Sequence, residues 1–248
     1  MAFIEYIDVE KSFGPKKVLD HLNLTIEKGE TMTILGGSGS GKTILLKILL
    51  GLVPVGRGKI LVDGQDVLTM DEEGLLHLRR RVGMLFQGGA LFDSLSVKEN
   101  IAYALREHFH HSEEEIDRLV AEKLQLVGLS GIEAMVPSDL SGGMKKRVAL
   151  ARAISTNPEV ILYDEPTTGL DPQNTTRINH LIREIQEKLR VTSIVVTHDI
   201  KSAFFVSDRL ALLHRGKIEA VGSRQEMEKS ENPMVSRFLR GELDNAVT

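Results

Sequence analysis

Apolar and polar residues follow two different patterns along this chain of 248 residues. Residues 4–9 and 18–26 alternate imperfectly and are separated by a Gly-Pro pair, which predicts two antiparallel strands of a partly exposed sheet. Residues 58–62, followed by an Asp-Gly turn, predict another strand. The N-terminal part of the chain is therefore expected to form an antiparallel β subdomain.

Farther along, short apolar runs alternate with segments of helical spacing. Runs typical of buried strands occupy residues 32–35, 82–86, 160–163, 193–197 and 210–213, and predicted helices occupy residues 44–50 and 175–189. Because strands that alternate with helices form mostly parallel sheets, ligands are expected at the carboxyl ends of these strands.

The middle of the chain changes to helical spacing over residues 97–150, which predicts a helical lobe inserted into the alternating pattern. Ser112 and Glu115 form a capping box at one helix start, and Gly128 marks the end of that helix.

A glycine-rich loop between a predicted strand and a predicted helix carries the clearest chemistry. It consists of Gly36, Gly37, Ser38, Gly39, Ser40, Gly41, Lys42 and Thr43, and Ile44 follows it. The glycines let backbone N–H groups converge with the helix dipole and Lys42 on one polyphosphate, and Thr43 would place its hydroxyl on a magnesium ion. A simple Gly/Ser-rich turn is the alternative, but the flanking strand and helix favour a P-loop.

Two adjacent carboxylates, Asp164 and Glu165, follow one predicted strand, and His198 follows the next. With a P-loop in the chain, we expect Asp164 to hold magnesium through water and Glu165 to orient or deprotonate an attacking water. Since adjacent residues of a strand point to opposite sides, the two carboxylates should do different jobs. Taken alone, they could form a charged strand end, and His198 could be a structural residue.

A second glycine cluster, with Ser141, Gly142 and Gly143, precedes a predicted helix over residues 144–155 that begins with two lysines and an arginine. Cations in a first turn oppose the helix dipole, so this arrangement favours an anion at that end. One P-loop leaves this second helix start unused, whereas two chains placed head to tail could each close the other's site. The sequence therefore predicts a homodimer that holds two ATP molecules at its interface.

Composition excludes several classes of protein. The 42% hydrophobic and 27% charged residues are ordinary for a folded protein, and the net charge of -4 argues against a general nucleic-acid binder. The absence of cysteine excludes disulfides and thiolate metal sites. No run approaches the ~20 apolar residues of a membrane span, and the N-terminus lacks a signal-peptide pattern, so the chain is expected to be soluble.

Together these motifs resemble the ATP-binding subunit of ABC transporters over residues 1–225. The resemblance rests on the P-loop at 36–43, Gln87, the signature at 140–143, the strand 160–165 with Pro166, residues 169–171, and His198. It implies a P-loop NTPase (RecA-like) α/β core with an antiparallel β subdomain and an inserted α-helical subdomain. It also implies ATP and Mg²⁺ as cofactors, and hydrolysis of ATP coupled to transport.

The resemblance also implies a role for individual residues. Ser141, Gly142 and Gly143 would contact the γ-phosphate bound by the opposite subunit. Phe13 would stack on adenine, although an exposed phenylalanine beside a loop can equally be a lone surface residue. Gln87 would be the glutamine that contacts the metal and belongs to the coupling loop. His198 would be the switch histidine, and Asp171 would be the aspartate that communicates across the dimer.

Domain boundaries follow from the same pattern. The catalytic core with its β subdomain is expected at residues 1–88 and 156–225, the helical subdomain with the signature at 89–155, and a C-terminal helical extension at 226–248. The extension carries an apolar stripe of Val235, Phe238 and Leu239, which packs either on the parent domain or on a partner.

A narrower resemblance covers residues 88–97 and 142–147, which are similar to the ATPases of Mla/Mce-type phospholipid transport systems. It implies a peripheral subunit at the cytoplasmic face of the inner membrane, with an accessory protein and a lipid-binding Mce-type component as further partners. A permease helix is expected to dock near residues 87–92, where Ala90, Leu91 and Phe92 form an apolar patch. The alternative for Leu91 is the core of the helical lobe.

Two departures and three rival functions remain. Ile44 replaces a second hydroxyl residue and Gly169 stands where serine or alanine is also common, but neither removes a group needed for hydrolysis. A non-transport ABC-type ATPase would usually carry a coiled coil or a second ATPase domain, and a non-catalytic regulatory module would be expected to lack Glu165 or His198. Transport of another small solute stays open.

Overall fold

The computed structural model describes residues 2–242, so residues 243–248 of the expected C-terminal extension lie outside the described part. The elements follow in this order: β1 (Ala2–Phe13), β2 (Lys16–Glu27), β3 (Thr31–Leu35), α1 (Lys42–Leu49), β4 (Arg57–Val62), β5 (Gln65–Asp66), α2 (Glu72–Arg80), β6 (Val82–Leu85), α3 (Val97–His108), α4 (Glu113–Leu126), α5 (Gly142–Ala153), β7 (Val160–Asp164), α6 (Pro172–Leu189), β8 (Thr192–Thr197), α7 (Ile200–Val206), β9 (Arg209–His214), β10 (Lys217–Gly222), α8 (Arg224–Glu228) and α9 (Pro233–Leu239). The expected α/β fold is confirmed.

The chain groups into two compact units. The first unit contains the residues up to Arg79 and those from Thr192 onward, and the second contains Arg80–Val191. Each unit therefore holds part of the site that the sequence predicts. The subdomain boundaries drawn from the sequence pattern stay a prediction.

The antiparallel sheet of the first unit has the strand order β2-β1-β4-β5. Tyr6 pairs with Leu24 and Val9 with Leu22, so β1 carries one extra residue at this point. Asp8, with a φ of 51°, lies in this bulge in the left-handed region. The bulge explains why the alternation in sequence is imperfect.

Three parallel strands in the first unit, in the order β9-β3-β8, position the P-loop, and β10 pairs antiparallel with β9. Every residue of β3 and β8 is buried, as expected for strands covered on both faces. Leu35 pairs with Thr197, so the P-loop and His198 follow the carboxyl ends of neighbouring strands.

The second unit combines the parallel pair β6 and β7 with the predicted helices. Capping boxes begin α3 at Ser96 and α4 at Ser112, and the second of these confirms the expectation from sequence. A Cβ at Gly83 would lie 2.0 Å from the carbonyl oxygen of Ala153, so only glycine lets β6 pass this close to the end of α5. This approach places the segment after β6 beside α5.

The apolar stripe of α9 packs on its own chain. Val235 is fully buried in a cluster with Leu35, Leu212 and other residues of the first unit, and Phe238 packs against the same cluster. The alternative that this stripe serves the parent domain is therefore correct. Because Leu35 is the last residue of β3, α9 also supports the strand that carries the P-loop.

Three elements lacked a clear signal in the sequence. α2 and β10 are short and only partly buried, and α7 is a single short helix capped by Asp199, which the sequence pattern had assigned only to a strand end. Within residues 2–242, no helix is both long and apolar enough to cross a membrane.

Candidate functional site

The P-loop of the first unit folds around the side chain of Lys42. The ammonium of this residue donates to the carbonyl oxygens of Gly36 at 2.8 Å and Gly37 at 3.0 Å, and the side chain is buried. A Cβ at Gly36 would lie 2.6 Å from the carbonyl oxygen of Leu213 and 2.7 Å from the Oγ of Ser40. At Gly36 the loop therefore has room for backbone only.

The helix that follows the loop begins without a side-chain cap. Gly41, the residue before α1, has a φ of 105° and offers no side chain to the first turn. The Oγ of Ser40 is buried, and no hydrogen-bond partner reaches it from within the described residues. A helix start of this kind, with a lysine folded into the loop, fits a polyphosphate.

Phe13 lies at the end of β1 in the first unit, where 48% of its surface is exposed. The ammonium of Lys11 lies 4.6 Å from the centre of its ring. An exposed aromatic ring beside a cation can accept a flat, electron-rich ligand. Its stacking on adenine stays a prediction.

His198 follows β8 and is exposed. The next residue, Asp199, caps α7 by accepting hydrogen bonds from the backbone of Lys201 at 3.0 Å and from the hydroxyl of Ser202 at 2.6 Å. The cap fixes the turn that carries His198, at the end of a strand paired with β3.

The two carboxylates of the second unit lie at the end of β7. Asp164 is the last residue of the strand, and both it and Glu165 are buried. Glu165 has a φ of 47°, so it has already left the strand. The argument from strand alternation therefore does not apply to this pair, because the chain turns at Glu165. Different roles for the two carboxylates stay a prediction. The hydroxyl of Thr168 donates to Glu165 Oε2 at 3.2 Å and fixes that carboxylate.

The signature residues begin α5. Ser141 caps this helix by accepting a hydrogen bond from the backbone N–H of Met144 at 3.3 Å, and Ser141 and Gly142 are exposed. Gly143 is buried, and a Cβ there would lie 2.3 Å from the Oδ1 of Asn174. The exposed face of the signature is therefore available to a ligand, while its buried face packs on α6.

Asn174 links the signature to Asp171. Its side-chain amide donates to Asp171 Oδ2 at 2.6 Å, and its backbone N–H donates to Asp171 Oδ1 at 2.9 Å. These hydrogen bonds lower the pKa of Asp171. Because Asn174 also lies against Gly143, a shift of Asp171 would reach the signature through one side chain.

Two cations near the start of α5 find acceptors within the chain. Lys146 is buried and donates to the carbonyl oxygen of Gln87, and Arg147 donates to the carbonyl oxygen of Gly128 at 3.0 Å. Burial lowers the pKa of Lys146, and the carboxylates of Asp164 and Glu165 raise it in part. These internal partners supply part of the compensation that the sequence pattern assigned to an external anion.

The segment after β6 presents an aromatic pair. Gln87 is exposed, Leu91 is half-buried, and Phe92 is 44% exposed. The rings of Phe92 and Tyr103 have their centres 5.1 Å apart. An exposed aromatic pair of this kind is typical of a surface that receives an apolar partner.

Each unit thus brings together part of the predicted site. The first unit carries the P-loop, Phe13 and His198, and the second carries Gln87, Asp164, Glu165 and the signature. The sequence pattern did not assign roles to Asn174, Lys146, Asn100 or Arg152, whose contacts appear only in the folded chain. No local pattern signals the contact of Lys146 with the carbonyl of Gln87, because the two residues lie 59 positions apart.

A nucleotide-binding P-loop ATPase cassette is the class of protein that this fold and these residues define. A sequence profile of the family described as ABC transporter matches residues 19–168, well over half of the chain. The chain belongs to the ABC transporter family.

Curated relatives match over nearly the whole chain. The intermembrane phospholipid transport system ATP-binding protein MlaF of Haemophilus influenzae is 43% identical over 234 residues, which cover 94% of this chain and 89% of that protein. The probable ribonucleotide transport ATP-binding protein mkl of Mycobacterium leprae is 42% identical over 238 residues, which cover 96% of this chain and 69% of that protein.

Solved structures share the fold. The dimeric structure of the ATP-binding cassette MJ0796 in a post-hydrolysis state, bound to ADP and Pi, has a TM-score of 0.82 at 33% identity and covers 89% of this chain and 98% of that chain. The structure of cbiO1 from Clostridium perfringens, part of an ABC transporter complex, has a TM-score of 0.85 at 29% identity, with 96% and 95% covered.

The contact between Gly143 and Asn174 gives a prediction about stability. Gly143→Ala is expected to lower the free energy of unfolding by roughly 1–3 kcal/mol, as overpacking in a tight contact does. The reason is that the new methyl would force Asn174 off Asp171. Thermal unfolding measures the change.

Gly142→Ala is the matched control, because no atom of a neighbouring element lies within 4 Å of its Cβ. The double variant Gly143→Ala/Asn174→Ala should recover most of the loss, since it removes the obstructing amide. Equal unfolding midpoints for the two single variants would contradict the contact.

Proposed function

We propose that this chain binds ATP with Mg²⁺ and hydrolyses it to drive transport through separate membrane subunits. The strongest support comes from the P-loop, where Lys42 is folded among the carbonyls of Gly36 and Gly37 and α1 begins without a side-chain cap. A triphosphate supplies the negative charge and the acceptor oxygens that suit this loop. The proposed nucleotide contacts are those of Phe13, Gly36, Gly37, Ser38, Gly39, Ser40, Gly41, Lys42, Thr43, Ile44 and Gln87.

The proposed metal donors are Thr43, Gln87 and Asp164. Hydroxyl, amide and carboxylate oxygens are the ligands that Mg²⁺ prefers, and the chain contains no cysteine that would favour a softer metal. Bound Mg²⁺ would neutralise charge on the phosphates.

The proposed hydrolytic residues are Glu165, His198 and Lys42. Glu165 is buried and fixed by Thr168, so it can hold a water for attack in one orientation. Lys42 stabilises charge on the phosphates, and His198, exposed at a strand end, donates to the terminal phosphate.

A second copy of the chain is proposed to complete each site. Ser141 and Gly142 are exposed at a capped helix start, and cassettes such as MJ0796 are dimeric in solved structures. In a head-to-tail pair, Ser141, Gly142 and Gly143 of one subunit would meet the nucleotide of the other.

Phospholipid is the proposed cargo, carried between membranes by permease subunits and an accessory protein with a lipid-binding component. The support is the 43% identity to MlaF of Haemophilus influenzae and the 39% identity to MlaF of Escherichia coli. The relative mkl, described as a probable ribonucleotide transport protein, is 42% identical and favours ribonucleotides as the second candidate.

The permease is proposed to dock near residues 87–92 and to hold the chain at the cytoplasmic face of the inner membrane. Phe92 and Tyr103 offer an exposed aromatic pair at this place, and Gln87 begins the same segment. No role in nucleic-acid binding is proposed, since the net charge is -4.

Glu165→Gln is expected to lower kcat for ATP hydrolysis by about 10²–10⁴ while the Kd for ATP changes little, because the amide keeps the bond from Thr168 but cannot act as a base. Phosphate release and equilibrium binding of a labelled nucleotide measure the two effects. Glu114→Gln, an exposed carboxylate on α4, is the control and should keep full activity. Hydrolysis near the normal rate in the Glu165 variant would contradict its role.

The docking proposal and the cargo proposal can be tested together on the complex extracted from membranes. Phe92→Ser should release the membrane subunits and keep ATP binding, because it removes the aromatic anchor, whereas Phe109→Ser, which changes another exposed ring of the second unit, should keep them. The cargo is tested on the same complex.

ATP hydrolysis by the intact complex should rise several-fold when glycerophospholipid is added. Stimulation of hydrolysis by ribonucleotides and not by lipid would contradict phospholipid as the cargo.

A further inference from the structure

Two cationic side chains of α5 hold the backbone that follows β6. Lys146 donates to the carbonyl oxygen of Gln87, while the two terminal nitrogens of Arg152 donate to the carbonyl oxygens of Gly89 at 2.9 Å and Ala90 at 2.8 Å. Three carbonyls of one short segment are therefore held by one helix. That helix is the one that Ser141 caps.

Lys146 occupies a position where a lysine is unfavourable without partners. It is only 6% exposed, so its charge has lost most of its contact with water. The carbonyl of Gln87 and the nearby carboxylates of Asp164 and Glu165 compensate for this cost. A lysine here consequently acts on the Gln87 backbone and on both carboxylates at once.

Arg152 holds a strained part of the same segment. Gly89 and Ala90 have φ angles of 77° and 51°, and the left-handed region is uncommon for alanine. In this conformation both carbonyls accept from one planar guanidinium, whose central carbon lies 5.8 Å from the centre of the Phe92 ring. Arg152 therefore fixes the backbone that leads to the exposed ring.

Asn100 of α3 holds the other end of the segment. Its side chain is fully buried, accepts from the backbone N–H of Phe92 at 2.8 Å, and donates to the carbonyls of Phe92, Leu95 and Ser96. The backbone is therefore held at both ends, while the rings of Phe92 and Tyr103 stay exposed. A partner pressing on these rings would meet a segment with little freedom of its own.

We propose that Lys146 and Arg152 form a cation clamp, defined by these two residues, that fastens the segment 87–92 to α5. Both are positioning residues. A displacement of the exposed aromatic pair is then passed to α5, and so to the signature at its start, instead of being absorbed by the loop.

The effect of the cation clamp on catalysis rests on the proposed ATPase function. Its effect on the mobility of residues 87–92 does not. In the transporter, docking at Phe92 would move the signature through the same two side chains. Without a clamp, the left-handed turn at Gly89 and Ala90 would be a flexible joint between partner and helix.

The effect of the cation clamp on the mobility of residues 87–92 can be tested by fluorescence, because the chain contains no tryptophan. Phe92→Trp introduces a single reporter next to Arg152. In this background Lys146→Met should raise the acrylamide quenching constant at least about twofold, because the freed segment exposes the ring more often. Lys145→Met, which changes the adjacent lysine of α5, is the matched control and should leave quenching unchanged.

Arg152→Lys gives a second variant, which keeps the charge but loses the two-carbonyl geometry, and it should raise quenching similarly. Unfolding midpoints identify any variant that has lost its fold, and quenching is compared only among folded variants. Equal quenching in the reporter chain, the Lys145 variant and a folded clamp variant would overturn the proposal.

Steady-state hydrolysis of ATP tests the link between the cation clamp and catalysis. Lys146→Met should lower kcat about tenfold with the KM for ATP within about twofold, and Lys146→Arg should restore kcat to within about threefold. A kcat in the Lys146→Met variant equal to that of Lys145→Met would overturn this link. If the unmutated chain does not hydrolyse ATP, the proposed function is overturned. The quenching experiment would still show whether Lys146 and Arg152 hold the segment 87–92.

Discussion

A loop that binds polyphosphate must concentrate positive charge at one point while keeping side chains out of the way, and this constraint shapes the first unit. A Cβ at Gly36 would lie 2.6 Å from the carbonyl of Leu213, so the backbone itself forms the wall of the loop. Lys42 folds among the loop carbonyls, and Gly41, with a φ of 105°, begins α1 without a side-chain cap. The cluster around Leu35, with Val235 of α9, holds the preceding strand in place.

The second unit meets a related constraint in a different way. Its signature helix starts with a proper cap from Ser141, and its cations turn toward backbone carbonyls of the same unit. Ser141 and Gly142 stay exposed, whereas Gly143 is pinned by Asn174. An exposed, capped helix start of this kind supports the proposal that a partner subunit completes the site.

Local signals made much of the fold predictable from the sequence, and tertiary contacts account for the rest. The capping box at Ser112 and the apolar runs of the parallel strands depend on neighbouring residues alone, so they were correct. The argument from strand alternation did not extend to Glu165, because the chain leaves the strand before it. The contacts of Lys146 and Asn174 join distant segments, and no local pattern encodes them.

Mixing two inactive variants tests the composite site most directly. Lys42→Ala removes the P-loop lysine and Ser141→Arg blocks the signature, so each homodimer should be inactive. A mixed dimer keeps one intact P-loop facing one intact signature, and statistical mixing should restore about a quarter of normal ATP hydrolysis if the sites act independently. Activity that reappears on mixing is the outcome expected of a composite site. No activity in the mixture, with both variants folded and able to form dimers, would contradict it.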